Sequence, residues 1–238
     1  MENRTNYRLL AGLQRYLHFK FLFDKCMQVI PAINAKNIDE VREQLAFFRS
    51  ALPDHNGLYH LDVTDGEFST YQLWNTPEEL QEFGEEPIFE VHLMIKNPEL
   101  YIDKWLHPCV GRILFHVSAT HSIEEIIKKC KEKGIEVGIS LEPSSYTESV
   151  IPYILELDLV QILTVVPGAP GQKFGDGSLE KIRTLHAQFP NVILEVDGGI
   201  NAETALLVKD AGASIVVSAS YIIKSNIPVE AYKRLTNI

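Results

Sequence analysis

After Cys26 the chain alternates between short apolar runs and amphipathic, capped segments. Strand-like runs fall at Gln28–Ile33, Tyr59–Val63, Ile88–Leu93, Arg112–His116, Glu136–Leu141, Leu159–Val165, Val192–Val196 and Ser214–Val217. Several are nearly continuous in Val, Ile and Leu, the pattern of parallel strands buried on both faces. Helix starts are predicted between them. Thr76-Pro77-Glu78-Glu79 offers an N-cap, a proline at the first helical position and an acid at the third. Asn97-Pro98 repeats the cap-then-proline device, Ser122-Ile123-Glu124-Glu125 reads as a capping box, and Asn37-Ile38-Asp39-Glu40 as a similar start. Eight strands alternating with helices, without a linker or break in composition, favour a single α/β domain over residues 27–238. The pattern alone also fits a doubly wound sheet, so choosing a (β/α)8 TIM barrel rests on the motifs below.

Ahead of the barrel, residues 1–26 are expected to form an N-terminal helical extension packed on the barrel or on a partner chain. From Tyr7 to Phe23 this segment is rich in Leu and Phe, but Arg8, Arg15, Lys20 and Asp24 interrupt it. No apolar run approaches the roughly 20 residues that span a bilayer. At 238 residues the chain can bury a large core without disulfides. Its three cysteines, Cys26, Cys109 and Cys130, lie far apart and form no CxxC pair, so they are expected to be buried thiols in a reducing cytoplasm. A net charge of −10 argues against nucleic acid or an anionic membrane as partner. It leaves room for a small anion in a locally electropositive pocket.

In a barrel, catalytic groups project from the C-terminal ends of strands. Four candidates sit there. His60 and Asp62 alternate with Leu61 and Val63, and positions i and i+2 of a strand share a face. His92 ends the next run, and Asp197 closes Leu194-Glu195-Val196-Asp197 ahead of Gly198-Gly199. Two imidazoles and two carboxylates suit one divalent cation such as zinc, Fe(II), cobalt or manganese. A lone strand histidine is commonly a satisfied core residue, and an aspartate after a strand is often a cap; the joint placement raises the metal reading. Glycine-rich turns follow the sixth and seventh runs, at Pro167-Gly168-Ala169-Pro170-Gly171 and Gly198-Gly199, and Ala219-Ser220 follows the eighth. Barrels often bind phosphate after strands seven and eight, where small residues let backbone N–H groups approach.

These stretches resemble the ribulose-phosphate 3-epimerase family. The likeness runs from about Gln28 to the C-terminus and is carried by His60-Leu61-Asp62-Val63-Thr64-Asp65-Gly66, Val91-His92-Leu93-Met94, Pro167-Gly168 through Gly171-Gln172-Lys173-Phe174, and Val196-Asp197-Gly198-Gly199-Ile200. The resemblance implies that His60, Asp62, His92 and Asp197 ligate the metal and that Asp62 and Asp197 are the catalytic acid–base pair. It further implies substrate contacts at Ala32, His92, Met94, Gly168, Ala169, Pro170, Gly171, Gly198, Gly199, Ala219 and Ser220. The implied reaction interconverts D-ribulose 5-phosphate and D-xylulose 5-phosphate, in a homo-oligomer. Several positions depart from the family pattern. Ala32 stands for a serine, Thr64 for a methionine, Ser118 for a glutamate, Glu142 for an asparagine and Ala219 for a glycine, while Val166, Ala169 and Pro170 alter the lid loop. None is a ligand or acid, so a changed sugar, such as a ketohexose 6-phosphate like allulose 6-phosphate, is the first alternative. A non-catalytic binder of metal or sugar phosphate is the second.

Overall fold

The computed structural model describes residues 26–168, 172–175 and 177–238. All eight predicted strands form, and they close in chain order into one parallel barrel, each strand paired with its neighbours and the last with the first. β1 (Gln28–Ile33) leads to α1 (Ile38–Ala51), then β2 (Tyr59–Thr64), β3 (Phe89–Met94) and the short α2 (Ile102–Trp105). β4 (Val110–His116), α3 (Ile123–Glu132), β5 (Glu136–Leu141), β6 (Leu159–Leu163) and α4 (Ser178–Gln188) follow. The barrel ends with β7 (Leu194–Asp197), α5 (Ala202–Ala211), β8 (Ile215–Ser218), α6 (Ser220–Ile223) and α7 (Pro228–Thr236). This is the TIM-barrel architecture, and it excludes the doubly wound sheet.

The main core lies between strands and helices. Outward-facing Val29, Ile33, Leu61, Val91, Phe115, Val160 and Val196 meet Phe48 of α1, Trp105 of α2, Ile126 of α3, Leu185 of α4 and Val208 of α5. Alternation then directs the other strand positions into the barrel, where a smaller apolar cluster joins Ile30, Ala32, Ile215 and Val217. Among the described residues no helix is long and apolar enough to cross a membrane.

Helix starts follow the sequence unevenly. Asn37 caps α1 through its side chain, which accepts from the Glu40 N–H at 2.9 Å. Thr76-Pro77 begins only a 3₁₀ segment, Pro77–Phe83, which stops at Gly84 with φ 65°. Ser122 flanks α3 but forms no capping bond; its own N–H is taken by Thr120 Oγ1 at 2.9 Å. Asn201, by contrast, forms a complete capping box with Thr204 at the start of α5. Cys109 and Cys130 are buried thiols, as expected, whereas Cys26 is exposed. The expected helical extension falls on residues that, apart from Cys26, lie outside the described ones.

Candidate metal centre at the strand ends

His60 and Asp62 of β2, His92 of β3 and Asp197 at the end of β7 turn into the barrel and converge, so that one donor atom from each lies within 4.8 Å of all the others. Asp62 Oδ1 sits 3.1 Å from His60 Nε2 and 3.0 Å from His92 Nδ1. Asp197 Oδ2 approaches the same two nitrogens at 3.9 and 4.0 Å. A tetrahedral cation with bonds of about 2.0–2.2 Å needs ligand-to-ligand edges of roughly 3.3–3.6 Å. The four measured edges bracket that value, so the donor set fits a borderline divalent ion in size and in chemistry.

The electrostatics are those of groups crowded around a common point. Burial favours the neutral Asp62 acid, but the adjacent His60, with hydrogen bonds from both histidines, outweighs it and holds the carboxyl far below its ordinary range. Burial and the neighbouring Asp62 charge push Asp197 up to about 6. Burial also opposes a charge on His60, yet Asp62 and Glu90 together raise it well above its usual value.

Behind this cluster stand further buried polar groups that the motifs do not include. His60 Nδ1 lies 2.6 Å from Glu90 Oε1, and Glu90 Oε2 lies 2.5 Å from Arg112 Nη1. His92 Nε2 meets His116 Nε2 at 3.0 Å, and the His116 ring stacks on that of His92. Burial, then the nearby His92, keeps His116 well below its usual pKa. Gln161 donates to Glu195 Oε1 at 2.9 Å. The signal that could have found them was present: Glu90 and Glu195 each stand two residues before a named site residue, and Arg112 and His116 alternate through Leu114 on the next strand.

The remaining candidates surround the same end of the barrel. Ala32 is buried opposite His60 in register, and Met94 is buried opposite Thr64. Gly168 has φ 86°, and Ser69 Oγ beside it donates to Pro167 O at 2.8 Å, tying the loop after β6 to the loop after β2. Gly198 and Gly199 also have positive φ. A Cβ on Gly199 would lie 2.4 Å from the Phe174 nitrogen, so close backbone approach is itself a reason for glycine there. Ala219 and Ser220 begin α6, with Ala219 O accepting from the Ile223 N–H. Ala169, Pro170 and Gly171 lie outside the described residues. A cavity of about 330 Å³ opens between the loops after β1 and β2, lined by Lys36, Thr64, Asp65, Gln72, Leu73 and Asn75.

Comparison with solved structures shows the fold. The barrel superposes on 3-keto-L-gulonate-6-phosphate decarboxylase from Vibrio cholerae with a TM-score of 0.64, at 13% identity, covering 89% of this chain and 95% of that one. It superposes on 3-hexulose-6-phosphate synthase from Salmonella typhimurium with a TM-score of 0.63, at 16% identity, over 88% and 96%. Sequence relatives are nearer. The ribulose-phosphate 3-epimerase of Schizosaccharomyces pombe is 37% identical over 153 residues, 64% of this chain and 67% of its own length. The cytoplasmic isoform from Oryza sativa subsp. japonica is 31% identical over 182 residues, 74% and 79%. The Bacillus subtilis enzyme of the same name is 34% identical over 169 residues, 68% and 77%. The model of the ribulose-phosphate 3 epimerase family matches residues 28–223. The chain is therefore a carbohydrate epimerase, an isomerase built on a TIM barrel. It belongs to the ribulose-phosphate 3-epimerase family.

Proposed function

We propose that this protein is a metal-dependent 3-epimerase of a ketose phosphate, with D-ribulose 5-phosphate and D-xylulose 5-phosphate as its first substrate pair. The reading is carried by one observation: two carboxylates from non-adjacent strands, β2 and β7, meet two imidazoles within 4.8 Å inside a barrel of this family. His60 Nε2, Asp62, His92 Nδ1 and Asp197 would hold one divalent cation. When bound, such an ion supplies a Lewis acid for the negative charge that develops on the substrate oxygens.

The chain's own groups do the rest. Inversion at C3 needs a base on one face of the carbon and an acid on the other. Asp62 and Asp197 reach the site from different strands; one takes the C3 proton to give an enediolate, and the other returns a proton to the opposite face. The substrate phosphate is assigned to the turns at Gly168–Gly171 and Gly198–Gly199 and to Ala219–Ser220. Backbone N–H groups at such turns hold a dianion without a basic cluster, which suits a chain of net charge −10.

Exchange of solvent deuterium into C3 tests the proposal, run over pentulose and hexulose phosphates with metal analysis of the purified protein. Label should enter the preferred sugar at the rate of turnover, with about one cation per chain. Metal-loaded protein that exchanges none of these sugars is a binder and not an epimerase.

A further inference from the structure

The epimerase reading uses His60 but not the row of side chains on which it leans. His60, Glu90, Arg112 and Glu136 are register partners on β2, β3, β4 and β5, four successive strands. They touch in that order. Glu90 Oε1 lies 2.6 Å from His60 Nδ1, its Oε2 2.5 Å from Arg112 Nη1, and Arg112 Nε donates to Glu136 Oε2 at 2.8 Å. Glu90 is fully buried and Arg112 is 5% exposed, while the Glu136 side chain is half in solvent. An ion pair inside a barrel gains little net stability over apolar side chains of the same size, so its presence calls for another use.

We infer that Glu90, braced by Arg112, is a positioning residue that fixes which nitrogen of His60 faces the four-group cluster; this rests on the proposed cation site. A carboxylate can only accept a hydrogen bond, so Glu90 places the ring proton of His60 on Nδ1. Nε2 faces Asp62 Oδ1 at 3.1 Å and is the nitrogen that would give up its proton to a cation at the point shared with Asp62 and Asp197, while Nδ1–H stays with Glu90. Arg112 holds the carboxylate from behind, in a plane set by its contact with Glu136. The row thus reaches from the barrel surface to a donor atom without passing through substrate. Carboxylate partners of this kind orient metal-binding imidazoles and raise their basicity.

The test uses the full chain, stripped of cations and titrated with Zn²⁺ and with Co²⁺. Glu90→Leu/Arg112→Met removes the acceptor and both charges of the pair together. The metal-free double variant should keep wild-type secondary structure and a cooperative melt, while its Zn²⁺ affinity falls about 10–100-fold. Arg112→Lys keeps a cation against Glu90 but gives up the fork shared with Glu136, so its Zn²⁺ affinity should fall between wild type and the double variant. Nitrogen-edited NMR of the zinc-loaded wild type gives a second readout, a slowly exchanging proton on His60 Nδ1. A double variant that binds Zn²⁺ as tightly as wild type, or a His60 proton found on Nε2 in the loaded wild type, overturns the inference and leaves the cation site standing. Wild-type protein that binds neither ion removes the cation site, and the inference with it. Should the double variant fail to fold, the proton position in the wild type decides.

Discussion

On the β8–β1 side the barrel interior is filled by Ile30, Ala32, Ile215 and Val217, none more than 2% exposed. On the β2–β4 and β7 side the same depth holds His60, Glu90, His92, Arg112, Glu195 and Asp197. The first side stabilises simply by leaving water, at about 25 cal/mol per Å² of apolar surface. The second is costly to bury and stands only because nearly every charge meets a partner. Its cost shows in His116 Nδ1, Ser140 Oγ, Gln161 Oε1 and Glu195 Oε2, buried with no hydrogen-bond partner, while on the apolar side only Gln28 Oε1 and Ser218 Oγ, at the ends of β1 and β8, share that state among the described residues. Burial and the charge of Glu90 push Glu195 well above the carboxylate range, toward the neutral acid. One half of the interior therefore holds the barrel together, and the other uses stability to gather chemistry.

The sharpest way to break this comparison is Asp197→Asn. Epimerase turnover should fall by about 10²–10⁴, because the amide cannot carry the proton, while circular dichroism shows an intact barrel. Ile30→Ala on the opposite side should do the reverse, costing about 2–5 kcal/mol in denaturant unfolding with turnover per folded molecule near wild type. A swap of these outcomes would erase the distinction between the halves. The pH dependence refines it. With its folded pKa raised to about 6, Asp197 contributes stability that is complete below the ordinary carboxylate range and lost as pH rises through about 6. In chelator-treated protein, Asp197→Asn should therefore gain on wild type by about 1–3 kcal/mol between pH 4 and 7. An equal difference at both pH values would mean that Asp197 keeps an ordinary acidity. The smallest effect is expected at Asn201→Ala, which loses the α5 cap just beyond Asp197. Thermal unfolding should report about 0.5–2 kcal/mol, and a large change in turnover would join this helix start to the chemical half.

Much of this was legible from residue patterns. The apolar runs matched strands because in parallel sheets both faces are buried, and His60, Asp62, His92 and Asp197 stood out as polar groups at their ends. Glu90, Arg112 and Glu195 stayed hidden for the same reason. Arg112 opens its run, and Glu90 and Glu195 interrupt theirs, so each reads as a break in an apolar segment, and only closure of the barrel turns them inward against one another. Local capping rules were weaker guides. Thr76-Pro77 promised a helix, but Gly84 ends the 3₁₀ segment after 7 residues, and Thr120 takes the Ser122 N–H needed to make its box. The glycines after β7 were assigned to an approaching phosphate; the fold adds a tenant of its own, the backbone of Phe174.

That tenancy makes two loops one mechanical part. Gly199 packs so near the Phe174 backbone that no Cβ fits between them, and Thr164 just after β6 binds both sides of the same turn, through its N–H to Asp197 O at 2.8 Å and its hydroxyl to Gly198 O at 2.6 Å. A load placed on the turn is therefore shared by the segment that follows β6 and by the residue that ends β7. In the proposed enzyme, the far end of the sugar would rest on the turn that directly follows a proton-transfer group and is tied by Thr164 to the end of β6.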